Sequence, residues 1–452
     1  MAAWLVLPSS PTGNNRRVEL SGLDLSLILR IDNIFVYPAE LDIDRFKDAL
    51  SRTLSLWPFV IGRFLKLDGG HYFIEMSDNG IPFTYAENSE LEQWPLGNKV
   101  VVDIIQYSLE PFIDGVQTMK LMESSNDEPL FRLKLTHIVK SNEWILGTSW
   151  AHVLGDAASN LRFLNTLSRL YQQLEPLAPL PIFERRLWRD EEADESLSPL
   201  LKELSNAKPF REMIQVFLSR EETHEQLNLH FSSKQLSRLR ELAGGDSVTI
   251  QDALSSYIIL LLNTHCFNND NERLILRTDT VINFRGVSDL IAPVGLVSDA
   301  TIVLSSENFD DPLSLTSIAK TIRRSILQTR DPKFLEPYVA TSDRLKRKIL
   351  REHQLLNLGP FPNDVIVNSN LRYDWAHLVD FGYTDKCRFY TPWTGRLYFR
   401  VFRLNPIKDG NQWLPRDRDG AEVAFRIAPD VKDKFLSAWQ KDIVENFTNI
   451  KL

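Results

Sequence analysis

Residues 149–159 read SWAHVLGDAAS and join two patterns of different period. Upstream, PLFRLKLTHIV (129–139) sets Phe131, Leu133, Leu135 and His137 against Arg132, Lys134 and Thr136, the alternation of a strand. EWILGTSW (143–150) follows as a second strand. Downstream, Leu161, Leu164, Leu167 and Tyr171 recur at helical spacing. The stretch therefore reads as a strand-to-helix turn, with His152 at the mouth of the strand and Asp156 where a helix N-cap belongs. An imidazole aimed from a rigid element titrates near neutrality and can take a proton from a substrate. The plainer alternative is a loop histidine beside a capping aspartate, because a lone HxxxD recurs by chance in many chains.

Further out, DIDRFKDALSRTLSLWP (42–58) has helical spacing that ends at Pro58, and GRFLKLDGGHYFIEM (62–76) reads as a hairpin turning at Asp68, Gly69 and Gly70. From Glu175 to Pro199 the chain carries Pro176, Pro179, Pro181 and the charge run RDEEADE (189–195), a linker composition. Beyond it the mixture repeats. QLNLHF (226–231) is a strand, 233–243 a helix, TIQDALSSYIILLLN (249–263) a helix and RLILRTDTVI (273–282) a strand. The expected organisation is two α+β domains, residues 1–180 and 223–452, joined by a crossing linker over 181–222.

A chain of 452 residues exceeds what one core usually serves, and 43% hydrophobic with 25% charged residues is an ordinary globular balance. A net charge of −8 argues against a general nucleic-acid binder. Cys266 and Cys387 are too few for a disulfide framework or a cysteine zinc site. MAAWLVLPSSP has no basic segment before its apolar run, and YIILLLN from Tyr257 is too short to span a bilayer. Ile450, Lys451 and Leu452 lack the small first residue of a peroxisomal tripeptide. A cytoplasmic protein without a membrane partner is the expectation. No HExxH or other ligand cluster stands out, so no metal is expected. Nor is there a Gly-x-Ser-x-Gly elbow or a cysteine nucleophile signature, which favours a base acting directly on an acceptor. Among the other histidines, His137 reads as a satisfied core residue on the apolar face of its strand, while His71 and His265 are unremarkable. His377 precedes a second unusual stretch, VDFGYTDKC (379–387).

HVLGD and DFGYT, in that order, together resemble the HxxxD and DFGWG motifs of the BAHD acyltransferases. The likeness extends along LSGLDLSLILRIDNIFVYPAELDIDRFKDALSRTLSLWPFVIGRF, with its Pro58, Gly62 and Arg63 turn, and HYFIEMSDNGIPFTYAE. It continues through VINFRG, which carries Arg285, and GLVSDA, similar to the family's Gly-Tyr-Phe-Gly-Asn-Ala. The chain departs from the family at Ala157, usually glycine. Tyr383 and Thr384 replace the last Trp-Gly, and Ser369, Asn370 and Leu371 replace a Thr-Ser-Trp. These departures suit a divergent, fungal-like branch.

The resemblance implies two similar mixed-sheet domains of the coenzyme A-dependent acyltransferase (chloramphenicol acetyltransferase-like) type, with an active-site channel between them. It implies transfer of an acyl group, acetyl being the first guess, from an acyl-CoA co-substrate to a hydroxyl or amine of a small hydrophobic specialised metabolite. The protein would be a monomer with no permanently bound cofactor. His152 would be the general base, Ser369 the oxyanion donor, and Ser255 and Asn370 would meet coenzyme A. Asp156 would pair with Arg285, while Asp380, Phe381 and Gly382 would shape the cleft from a distance. RLKRKILR (344–351) would either meet coenzyme A phosphates or be a solvated helix face. A condensation domain of peptide synthesis is the nearest rival, but Ala151 and Ala157 stand where its HHxxxDG needs histidine and glycine. A catalytically silent ligand- or partner-binding relative is the other alternative.

Overall fold

The computed structural model describes all residues except 12–15, 26–28, 68–69, 123–126, 210, 214, 216–222, 268–271, 358, 411 and 449–452. The hairpin turn at Asp68 and Gly69, the end of the expected linker and the final tripeptide lie outside the described residues. The arms of that hairpin, Arg63–Leu67 and His71–Glu75, pair antiparallel as the sequence suggests.

Among the described residues the fold is α+β, built on two large mixed sheets. The first has seven strands, in the order Ala2–Val6, Ile81–Asn88, Phe131–Ile138, Glu143–Ala151, Arg30–Tyr37, Arg388–Pro392 and Val101–Val102. Helices Ile43–Leu56 and Ala157–Tyr171 pack on each other and share its core cluster. The first starts where Asp42 accepts from Arg45 N–H, and its stripe of Phe46, Ala49, Leu50 and Leu54 is buried. The second sheet has six strands, in the order Glu225–Phe231, Ala421–Ile427, Tyr398–Arg403, Asp364–Ser369, Arg277–Asn283 and Thr301–Ser305. Helices Ser233–Ala243, Ile250–Leu261 and Leu315–Gln328 supply its core.

The site-bearing strand Glu143–Ala151 is central in the first sheet and buried at every residue. A second apolar layer, with Trp94, Leu96, Leu109, Phe112 and Ile113, clusters with Ile34, Val36, Ile138 and Ile145 and removes the exposed face that alternation would predict. Gly147 is needed there because the Phe112 carbonyl occupies the place of a Cβ. The same layer corrects the reading of His137. Thr136 and Ile138 are buried, whereas His137 is half-buried, stacks on Trp144 with ring centres 4.7 Å apart, and places Nε2 3.0 Å from Asn142 Oδ1.

Sheet membership does not follow chain order. Strand Arg388–Pro392 comes from the second half yet pairs antiparallel with Arg30–Tyr37, setting Phe389 opposite Phe35. Phe381 joins the first core, with ring centres 5.5 Å from Tyr37, 5.6 Å from Phe46 and 5.2 Å from Tyr171.

Candidate active site

The strand Glu143–Ala151 ends in a single tight turn, His152–Leu154, whose first N–H donates to Leu29 O at 2.9 Å. Gly155 then takes φ +136°, and a Cβ there would lie 2.8 Å from both Ser159 Oγ and Ser298 O. Only glycine satisfies both demands. Trp150 Nε1 donates to Gly155 O at 2.9 Å and closes the turn from the strand side.

Asp156 performs two jobs with its two oxygens. Oδ1 accepts from Ser159 N–H at 3.0 Å and caps helix Ala157–Tyr171. Oδ2 accepts from Arg285 Nη1 at 2.6 Å and from Ala300 N–H at 3.1 Å. Arg285 is saturated by further donation to Leu296 O, Ser298 O and Ser159 Oγ. Both side chains are almost wholly buried, so the pair locks the histidine turn onto the 296–300 segment of the second half.

His152 itself is 21% exposed by side chain, but its Nδ1 is buried and without a hydrogen-bond partner. The open part of the ring therefore lies away from Nδ1. Facing Nδ1 is Asp299, whose Oδ2 is 3.6 Å away. This carboxylate is 4% exposed, and Lys346 Nζ stands 3.8 Å from the same oxygen. Sequence reasoning did not single out Asp299, although GLVSDA places it at the family's asparagine.

Ser369 ends strand Asp364–Ser369, and its Oγ donates to Gln251 Oε1 at 2.6 Å. Gln251 Nε2 donates in turn to Ser255 Oγ at 2.8 Å, so Ser369 and Ser255 belong to one polar chain. Among the described residues no hydrogen bond or ion pair joins that chain to His152. Asn370 is buried, and Trp375 Nε1 lies 3.4 Å from its Oδ1. Neither thiol is a ready nucleophile: burial pushes Cys266 up to about 11 and Cys387 well above its ordinary value.

The profile described as the Transferase family matches residues 1–265, more than half of the chain. The chain belongs to that family, the BAHD acyltransferases. A hydroxycinnamoyltransferase of Narcissus pseudonarcissus is 28% identical over 202 residues, 41% of this chain and 42% of that protein. The aligned stretch thus spans only about two fifths of that relative's length. Vinorine synthase superposes with a TM-score of 0.61 at 17% identity, covering 96% of this chain and 97% of its own. TRI101 of F. graminearum, solved with ethyl coenzyme A, gives 0.60 at 14% identity over 94% and 98%. The fold is accordingly that of the coenzyme A-dependent acyltransferases.

Against BAHD motifs, the departures in the last segment have local partners. Asp380 Oδ1 accepts from Gly382 N–H at 2.9 Å and Gln172 Nε2 at 3.2 Å, while Oδ2 accepts from Thr384 Oγ1 at 2.9 Å. Tyr383 donates its hydroxyl to Glu40 O at 2.6 Å. Gly382 has φ +96°, and Phe381, at φ +49°, is held by the aromatic contacts described above. Three cations of the basic run 344–351 have partners within the protein: Arg344 pairs with Glu195, Arg347 with Asp343 and Asp190, and Lys346 donates to Leu23 O, whereas Arg351 is exposed.

Proposed function

We propose that this BAHD protein moves an acyl group from a coenzyme A thioester to a hydroxyl or amine of a small, largely hydrophobic molecule, with His152 as general base. The observation that carries the reading is the half-sheltered imidazole at the end of a buried strand, held against the second half by the Asp156–Arg285 pair. His152 takes the proton of the acceptor as its oxygen or nitrogen attacks the thioester carbonyl. A tetrahedral intermediate forms, the carbon–sulfur bond breaks, and the same proton goes to the thiolate. Ser369 is the proposed donor to the oxyanion, for which its hydroxyl must exchange Gln251 for the developing charge. Ser255, linked to Ser369 through Gln251, and Asn370 stand on the donor side of this reading.

A pocket of about 290 Å³ lies between helix Ala157–Tyr171, the proline-rich segment 176–181 and Tyr373; Arg162 and Arg372 line it beside Arg285, whose donors are already taken within the protein. Acetyl remains the simplest donor, and a monomeric cytoplasmic enzyme of specialised metabolism the simplest setting. Thiol release from acetyl-CoA with a panel of hydroxylated and amino acceptors tests the activity. His152→Ala should lower turnover by roughly 100-fold to 10,000-fold without unfolding the protein, and turnover within a few-fold of the parent would remove His152 from the mechanism.

A further inference from the structure

Resting on the reading of His152 as base, we propose that Asp299 is its positioning residue: a buried carboxylate that keeps the proton on Nδ1 and leaves Nε2 to receive the proton of the acceptor. The family segment carries an asparagine at this place, so the chain has put a full charge where an amide would stand.

The geometry selects Asp299 over the motif aspartate. Both oxygens of Asp156 are taken, by Ser159 N–H on one side and by Arg285 and Ala300 N–H on the other. Asp299 is held from two directions, its backbone N–H on Asp24 Oδ1 at 3.0 Å and its Oδ1 accepting from Thr301 Oγ1 at 2.5 Å. Asp24 is itself fully buried, with Arg185 Nε 3.0 Å from its Oδ2. What this leaves on Asp299 is Oδ2, which faces His152 Nδ1 at 3.6 Å and Lys346 Nζ at 3.8 Å. A separation of 3.6 Å is an ion-pair distance and too long for a hydrogen bond. Catalytic contacts are often long in a free enzyme and shorten when the reacting groups are assembled.

In the step itself the acceptor proton goes to Nε2, the ring becomes cationic, and Nδ1–H closes on Oδ2. The carboxylate gains no proton. When the carbon–sulfur bond breaks, Nε2 returns its proton to the sulfur and the ring is neutral again. A neutral amide at this place could orient the ring but could not oppose its transient charge.

The test combines kinetics with the tautomer of the ring, read by two-bond ¹⁵N–¹H correlation on protein labelled in histidine, the His152 signals being assigned by their loss in His152→Gln. The parent should show the Nδ1–H form. Asp299→Ala should lose that form and roughly 10- to 100-fold in kcat, with KM for acetyl-CoA and acceptor within about two-fold of the parent. Asp299→Asn, which preserves shape and the bond to Thr301, should fall between the two at an unchanged melting temperature. If Asp299→Ala does not fold, the kcat of Asp299→Asn decides. Asp299→Ala with the Nδ1–H form unchanged, or either variant with kcat within about two-fold of the parent, would overturn the role of Asp299 while leaving His152 as base. Full turnover in His152→Ala would instead overturn the base reading itself.

Discussion

At the scale of single residues, Asp156 shows how a cap and a buried ion pair coexist in one side chain. The two readings predict different variants. Asparagine can still accept from Ser159 N–H, so the cap survives Asp156→Asn. Its amide nitrogen, however, would face the Arg285 guanidinium and Ala300 N–H, stranding donors in a site where both side chains are nearly inaccessible. Asp156→Asn should therefore cost on the order of 3 to 5 kcal/mol. Arg285→Met should cost a comparable amount, and the double variant should recover part of the loss, because neither charge is then unpaired. Urea denaturation of the four proteins checks this, and simple additivity would show that the pair is not energetically coupled. Asp343 carries a pH prediction. Burial pushes its carboxyl up to about 6, against the opposing effect of Arg347 and of the Gly22 N–H, which donates to it at 2.5 Å. A raised carboxyl binds its proton more tightly folded than unfolded, so this group's contribution to stability falls as pH rises from about 4 to about 6 and is level above. Relative to Asp343→Asn, the parent should lose on the order of 3 kcal/mol across that window, measured by denaturation at a series of pH values.

At the scale of elements, what could be read from sequence was whatever is decided within a few residues. Helices Ile43–Leu56, Ala157–Tyr171, Ser233–Ala243 and Ile250–Leu261 fall on the expected segments because each has an apolar period and a side-chain cap, from Asp42, Asp156, Ser232 and Thr249. Helix Pro332–Arg351 was legible only as a basic run, since Pro337 interrupts its pattern and the acids that neutralise it come from the linker and from its own face. The histidine turn was visible as a turn, yet the need for glycine at position 155 depends on Ser298, far away in sequence. Asp299 was hidden for the same reason: its meaning lies in a distance to His152 that no local pattern encodes. The pairing of Asp156 with Arg285 was accessible only through the family resemblance, and the aromatic setting of Phe381 was not legible at all, because its partners Tyr37, Phe46 and Tyr171 are remote in sequence.

At the scale of the whole molecule, the two sheets are held together by polar groups as well as by packing. Glu422, on the second sheet and fully buried, accepts from Val100 N–H at 2.9 Å and Val101 N–H at 2.8 Å beside the edge of the first. Asn228 Nδ2 donates to it at 2.9 Å, and His230 Nε2 lies 2.8 Å away. Glutamine offers a single accepting oxygen, so Glu422→Gln should strand donors at roughly 1–3 kcal/mol apiece, lowering the thermal midpoint. A midpoint equal to the parent's would show that the clamp contributes nothing. The insertion of strand Arg388–Pro392 beside Arg30–Tyr37 reaches further, into the life of the chain on the ribosome. Ile34, Phe35 and Val36 are wholly buried, yet one of the two strands that pair with them is supplied by residues made hundreds of codons later. Until those residues emerge, the nascent first half exposes an apolar, unpaired strand edge, so the first sheet cannot close until that late strand has been made.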